Sequence, residues 1–478
     1  MRRQHTSPRA AHRLPVVENG ELKVHGRKTL QQLQLQLQQR LPTLLVKYAW
    51  QITSIIFVVV VLSIAVAAPL ISTTTRTATA PFHPRYVRYI CSDNTSNNVK
   101  VSRLDMDMEL YPSKRQIYIS KTAQARQTFI QDNSDDFKYG RRDEWESEDC
   151  KAQYEWQTQS FPTCNTLHET NLLHSIRADP TQRIVGNGYW RDVWLLGRGD
   201  AEPLVFKTLR YRHAFEDRNG DRHRRDAVAM EHLTKYKMVV NIYGFCGNSG
   251  LFEYADSGSL SDIIWSSKGR GGKAAATDLE RLHVAAQAAM GVAAIHNADR
   301  EGVPSMVHTD ITPSQFVGVN GLFKVNDFNR ARFVRWNSTS KQPCPHHVGR
   351  NPGKNRSPEE YAHEPQTEKV DVYSLGNILY MLLTGLWPFE DVSEEEAQKQ
   401  VKEGLRPVFP IEIWNSTNPI IQDLKEIMFR CHAQDPSKRA TARQVERMLL
   451  QSLQRHDATA LQRWGLEQEY GGGRAVGL

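Results

Sequence analysis

Cysteine is scarce in this chain of 478 residues: six in all, and none before residue 91. So low a number excludes a disulfide-dense miniature scaffold. Their spacing excludes a zinc module, because no paired Cys/His set recurs at ligand distances. Acids are scarce at the start, where residues 1–50 hold only Glu18 and Glu21 against nine Lys/Arg. That segment carries +7 of the net +8, so the rest is nearly neutral. The basic excess is therefore not a nucleic-acid footprint spread over a domain, and no aromatic-rich RNA module accompanies it. No nucleic-acid partner is expected. Apolar residues at 40% and charged residues at 24% exclude wholesale disorder. At about 100–200 residues per domain, the length suffices for two to four.

The longest absence is of charge. No Asp, Glu, Lys or Arg occurs from Tyr48 to Thr75, and Ile52–Ile71 is an almost unbroken apolar run. Twenty helical residues span roughly 30 Å, a bilayer's hydrocarbon core. Tyr48 and Trp50 stand where an interfacial aromatic belt belongs. A single transmembrane signal anchor over 49–72 is expected, with a cleaved signal ending near Ala65-Val66-Ala67 as the rival. The polar lead of nearly fifty residues is long for a cleaved signal. The flanks do not orient the span: Lys28, Arg40 and Lys47 precede it, and Arg76, Arg85 and Arg88 follow. All six cysteines (91, 150, 164, 246, 344, 431) and all four N-x-S/T acceptors (Asn94, Asn337, Asn355, Asn415) lie after it. Both favour an oxidising, glycosylating environment for the C-terminal side, hence type II topology with the main body lumenal or extracellular.

Five regions follow: a basic low-complexity tail over 1–48, the anchor, a Cys-containing stem or linker over 73–178, a catalytic domain over 179–455, and a C-terminal tail over 456–478. Cys150 and Cys164, fourteen apart, either close a small disulfide loop or stay as free thiols.

The chemistry lies beyond residue 180. Gly186-Asn187-Gly188 forms a glycine turn between two apolar stretches, where backbone can approach phosphate oxygens. Leu204-Val205-Phe206-Lys207 places a lysine at the end of a strand, and Asp226–Tyr236 has helical spacing with Glu231 on it. His308-Thr309-Asp310 follows an Ala-rich helical stretch, and Asp327-Phe328-Asn329 follows Phe323-Lys324-Val325. Ser357-Pro358-Glu359, Asp371-Val372-Tyr373-Ser374-Leu375-Gly376 and Arg439 come later. In order and separation these resemble the eukaryotic protein kinases: H-R-D, D-F-G, A-P-E, D-x-W-S-x-G and the late arginine that pairs with the A-P-E glutamate.

The resemblance implies an α+β, two-lobed fold and an ATP-dependent kinase. By position, Lys207 would hold the α/β-phosphates with Glu231 as its ion-pair partner. Gly186 and Gly188 would cover the phosphates. Val193 would roof the adenine, with Val205 beside the lysine, and Glu253 to Ala255 would form the hinge. Asp310 would accept the acceptor's proton, and Asp327 with Gln315 would bind Mg²⁺, or Mn²⁺ in its place. The departures are Arg191 for the third glycine, Val205 for Ala, Thr309 for Arg, Thr312 for Lys, Gln315 for Asn and Asn329 for Gly. Loss of the arginine at Thr309 removes the usual reader of an activation-loop phosphate. The expected acceptor is a protein Ser/Thr hydroxyl or, second, a glycan hydroxyl. Two other readings stay open: a pseudokinase scaffold, and a receptor-like kinase with a cytosolic domain.

Overall fold

The computed structural model describes residues 86–91, 99–104, 149–169, 184–197, 203–213, 217–265, 276–349 and 351–471. Among them no helix is long and apolar enough to cross a membrane. The apolar run at 52–71 and the acceptor Asn94 lie outside the described residues.

The chain enters through β1 (Tyr86–Cys91) and β2 (Val99–Leu104), an antiparallel pair. β3 (Cys150–Ala152) and a short helix, α1 (Cys164–Glu169), precede the glycine turn. A five-stranded antiparallel sheet then forms the N-terminal lobe: β4 (Ile184–Asn187), β5 (Arg191–Leu196), β6 (Leu204–Leu209), β7 (Ile242–Cys246) and β8 (Ser249–Glu253), in the order β4-β5-β6-β8-β7. Helix α2 (Asp217–Leu233) crosses between β6 and β7. Val193 faces Lys207 across the β5–β6 register and Leu195 faces Val205, so alternate residues place Val193, Val205 and Lys207 on one face of the sheet.

The C-terminal lobe is helical. After α3 (Leu260–Trp265) comes α4 (Asp278–His296), which starts at a capping box: Thr277 accepts from the Glu280 N–H while the Glu280 carboxylate accepts from Thr277 N. Helix α4 is Ala-rich and buried along most of its length, because small side chains let neighbours pack on every face. Gly291 is required there, since a Cβ would lie 2.5 Å from Val325 Cγ2. Strand β9 (Met306–Val307), the hairpin β10 (Phe316–Val319) and β11 (Leu322–Val325), and the short strands β12 (Arg332–Phe333), β13 (Arg335–Asn337) and β14 (Gln342–Pro343) lead to α5 (Pro358–Tyr361) and α6 (Lys369–Thr384). Helix α6 ends at Gly385, whose φ of 67° makes it a left-handed cap. Helix α7 (Glu394–Lys402), β15 (Phe409–Pro410), α8 (Pro419–Cys431) and α9 (Ala442–His456) complete the lobe.

Both flanking regions are more structural than a linker and a tail. Strand β1 pairs with β15 (Val87 opposite Phe409), and Tyr89 is fully buried among Phe409, Trp414 and Phe429. At the other end, Ala460 and Leu466 are fully buried in the same core that α4 and α9 line. Packed residues thus lie on both sides of the expected domain. Most of the expected stem, including residues 105–148, lies outside the described residues.

The cysteine pairing also differs from the local loop considered above. Cys150 is bonded to Cys344, and Cys164 to Cys246. Cys431, buried, is a free thiol. The small loop fails because Cys150 sits on β3, which pairs with β13 next to Cys344, whereas Cys164 opens α1, which packs on β7. Each bridge therefore fastens the preceding segment to a distant part of the domain.

Candidate active site

The cleft between the sheet and the helical lobe gathers most of the expected residues. The turn Gly188–Arg191 closes with the Gly188 N–H donating to Arg191 O (2.9 Å), while Arg210 donates to Gly188 O (3.0 Å). Both the N–H and the carbonyl of Gly188 are thus engaged in the turn. Gly186 lies on β4 opposite Val193. At the hinge, the Glu253 side chain accepts from Lys324 Nζ (2.7 and 2.9 Å) and from Asn241 N (3.0 Å), tying β8 to β11. Glu253 thereby anchors this segment by its carboxylate.

Lys207 is buried, with Nζ donating to Asn326 Oδ1 (2.9 Å) and lying 4.4 Å from the centroid of Phe252. Burial lowers its pKa and nearby Arg191 lowers it further, while Asp226 and Asp327 act in the opposite sense.

The expected partner of Lys207, Glu231, is not in the cleft. It is exposed on α2. The inward acid is Asp226, fully buried, nineteen residues after Lys207. Helical geometry explains the correction: Asp226, Ala229, Met230 and Leu233 fall at i, i+3, i+4 and i+7 on the buried face, whereas Glu231, Thr234 and Lys235 face solvent. That burial periodicity was the available signal. Asp226 accepts from the Phe328 N–H (2.6 Å) and from Arg191 Nη2, while Arg191 lies 4.0 Å from Asp327. Arg191, noted only as a missing glycine, thus reaches from β5 to join three elements: the phosphate turn, α2 and the Asp327-Phe328-Asn329 segment.

Asp310 is placed by backbone contacts of its own loop. The Asp371 carboxylate on α6 accepts from His308 N (2.7 Å), Thr309 N (2.8 Å) and His296 Nε2 (3.0 Å), which fixes the loop from below. Thr309 takes a positive φ of 58°, and its hydroxyl donates to Arg330 O (2.7 Å). The Asp310 carboxylate accepts from Arg356 Nη2 (2.6 Å) and Gln315 Nε2 (3.2 Å). Burial would raise its pKa; Arg356, Arg330 and His308 outweigh that and hold it below the usual carboxylate range. Asp327, by contrast, is raised by burial first and by Asp226 second. It also takes a positive φ of 67° and accepts from Asn329 Nδ2.

Asn326 N donates to Gln315 O (2.8 Å), which brings Gln315, Asp310 and Asp327 to the same side of the cleft. Their oxygens are hard donors suited to Mg²⁺ or Mn²⁺. The donor set fits a divalent ion, because Asp327 stands beside Asp226 in a field that opposes its ionisation until a cation relieves it. Among the described residues no protein-only cluster of three or more His, Cys, Asp or Glu is gathered.

Farther out, Arg439 grips Glu359 through Nη1 (2.6 Å) and Nη2 (3.0 Å), fully buried, as expected from the sequence. Residues 149–157 lie along the segment after Asp327. Gln153 and Gln157 both donate to Val334 O (2.9 and 3.0 Å), Trp156 stacks on His232 of α2 (4.0 Å) and meets Phe333 edge-on (5.0 Å), and Cys344 is bonded to Cys150. Sequence reasoning missed this strap, since its contacts reach residues 76 to 194 positions away.

A sheet lobe and a helical lobe, with a buried lysine above and two aspartates below, define the two-lobed phosphotransferase class. Comparison with known proteins agrees: the protein kinase domain family matches residues 180–449, more than half of the chain, and the chain belongs to that family. It is similar to the serine/threonine-protein kinase VIK of Arabidopsis thaliana, 28% identical over 195 residues covering 39% of this chain and 40% of that one. It is also similar to human mitogen-activated protein kinase kinase kinase 7, 26% identical over 217 residues covering 44% and 32%. A leucine-rich repeat receptor-like serine/threonine-protein kinase of Arabidopsis thaliana is 26% identical over 299 residues, covering 59% and 26%. The chain spans about half or less of the length of the curated relatives it matches.

Proposed function

We propose that this chain is a membrane-anchored kinase that moves the γ-phosphate of ATP to a hydroxyl acceptor, foremost Ser/Thr of a protein and second a glycan hydroxyl. The observation that carries the reading is the convergence of Lys207, Asp310 and Asp327 on one cleft, each held by a side-chain hydrogen bond. The adenine slot lies under Val193 and Val205, with the hinge at Glu253 to Ala255. Lys207 draws the α/β-phosphates inward. Asp310 orients the acceptor hydroxyl and takes up its proton as the new O–P bond forms and the bond to the β-phosphate oxygen breaks, releasing ADP. A Mg²⁺ or Mn²⁺ ion at Asp327 and Gln315 would neutralise phosphate charge. Most of the work is charge placement, which suits a site rich in fixed ion pairs.

The location we propose is a type II single-pass arrangement with the catalytic domain lumenal or extracellular. Two long-range disulfides support it, because cytosolic thiols are kept reduced. The acceptor asparagines differ in access: Asn415 is exposed, whereas Asn355 is buried and cannot carry a glycan. Expression in a secretory host is therefore expected to give a glycosidase-sensitive gel shift that shrinks in Asn415→Gln and is unchanged in Asn355→Gln. Absence of any shift in the wild type would instead favour a cytosolic catalytic domain.

A further inference from the structure

Arg356 lies closer to Asp310 than the other nearby cation, Arg330. It arrives 46 residues after Asp310, just ahead of Ser357-Pro358-Glu359. One guanidinium spans two acceptors: Nη2 donates to Asp310 Oδ1 (2.6 Å) and Nη1 to the Thr309 carbonyl (2.6 Å). Such a fork fixes both the carboxylate and the backbone that carries it. Arg356 is itself aimed. Its N–H donates to the Tyr361 hydroxyl (3.2 Å), which donates to Gly353 O (2.5 Å). The Glu360 carboxylate lies 3.9 Å from Nη1 and is held in turn by Ser357 N and Oγ (both 2.9 Å). Only 6% of Arg356 is exposed.

The loop of Asp310 supplies no such cation. Thr312, two residues on, lies in extended backbone (φ −140°, ψ 160°), and its hydroxyl is engaged with Ser314 Oγ (3.0 Å). Arg330 is the other cation nearby, at 4.0 Å, beyond hydrogen-bond distance.

We propose that Arg356 is a positioning residue for Asp310, supplying from the segment before Glu359 the cation that the loop itself lacks. This rests on the kinase reading. The competing account is an ordinary tether between two loops, in which the charge near Asp310 is incidental. The two differ in one respect: if charge at Asp310 is the task, a lysine introduced nearby can do it. In extended backbone, side chains two apart lie on one side, so a lysine at 312 can reach the Asp310 carboxylate.

The experiment uses the full chain, labelled ATP with Mg²⁺, and a mixed Ser/Thr peptide library. Arg356→Gln, which keeps a donor for the Thr309 carbonyl, is expected to lower kcat at least about tenfold with KM for ATP within about threefold. Adding Thr312→Lys to that variant is expected to regain at least about threefold in kcat. A smaller loss, a smaller regain, or a loss that falls on KM overturns the proposal. If Arg356→Gln has no cooperative melt, Arg356→Lys decides: kcat within about fivefold of wild type supports charge positioning, and a larger loss at unchanged melting temperature overturns it. A wild type that binds nucleotide but transfers no label defeats the kinase reading, and this inference with it. A wild type that transfers label regardless of Arg356 defeats this inference alone.

Discussion

Asp226→Ala is expected to lower kcat/KM by about a hundredfold or more, while Glu231→Ala leaves it within about twofold. The contrast follows from where the two acids sit. Glu231 is exposed, with no role in the cleft. Asp226 accepts from Arg191 Nη2 and from the Phe328 N–H, and so holds the phosphate turn and the metal-side loop to α2. Its removal strands the Arg191 guanidinium, which is 7% exposed, and an uncompensated buried charge costs about 3–5 kcal/mol. Melting temperature is therefore expected to fall together with activity. The double variant Arg191→Met/Asp226→Leu separates the two effects. Removing both charges restores most of the stability, since a well-packed apolar pair replaces a buried ion pair at little cost. Activity does not return, because the Phe328 N–H still lacks its carboxylate and Lys207 the nearby negative charge of Asp226. Thermal melts and steady-state kinetics on the three variants check this. Equal losses at 226 and 231 would show that α2 is turned otherwise.

Cys150→Ser/Cys344→Ser is expected to cause the largest loss of stability. The bridge spans 194 residues of sequence, and chain-entropy reasoning puts a closure of that size at up to about 5 kcal/mol. Its position makes the loss functional as well as thermodynamic. Cys344 ends the stretch β13–β14, and β13 pairs with β3 through Arg335–Ala152, Trp336–Lys151 and Asn337–Cys150. Thr309, in place of an arginine, leaves that stretch without the common phosphate-reading cation. The strap of residues 149–157 holds it by other means, through Gln153, Gln157 and Trp156. Loss of the bridge is expected to open the segment after Asn329 to proteolysis and to lower transfer activity, whereas Cys164→Ser/Cys246→Ser, on the far edge of the sheet, lowers melting temperature with a smaller effect on rate. Limited proteolysis with and without reductant, beside a melt of each pair, measures this. Unchanged cleavage of residues 330–350 on reduction would show that the strap does not need its bridge.

Much of the site could be read from the chain because its residues come in short local units. His308-Thr309-Asp310, Asp327-Phe328-Asn329 and Ser357-Pro358-Glu359 each sit within one turn or loop, and the pairing of Glu359 with Arg439 followed from their places in the pattern. The lysine strand was legible too, since apolar residues lead directly to Lys207. What was missed depends on which way a side chain turns or on distant contacts. Glu231 and Asp226 belong to one helix, and only the buried face distinguishes them. Arg191 reads as a defect in a glycine turn until its guanidinium is seen against Asp226. The disulfides could not be paired from spacing, because Cys150 and Cys164 are neighbours in sequence but sit on different elements. Tyr89 lies in a stretch that reads as stem, yet its ring is surrounded by aromatic residues more than three hundred positions away.

Phosphate transfer by this cleft, with Asp310 as its acceptor-side group, is the activity on which everything above depends. Incubating the full chain and its Asp310→Asn variant with γ-labelled ATP, Mg²⁺ or Mn²⁺, and peptide and glycan acceptors together tests it directly. Label is expected on an acceptor with wild type, and at least about a hundredfold less with Asp310→Asn, while ATP raises the melting temperature of both. Nucleotide-stabilised protein with no Asp310-dependent label on any acceptor would contradict it and mark the chain as a nucleotide-binding scaffold.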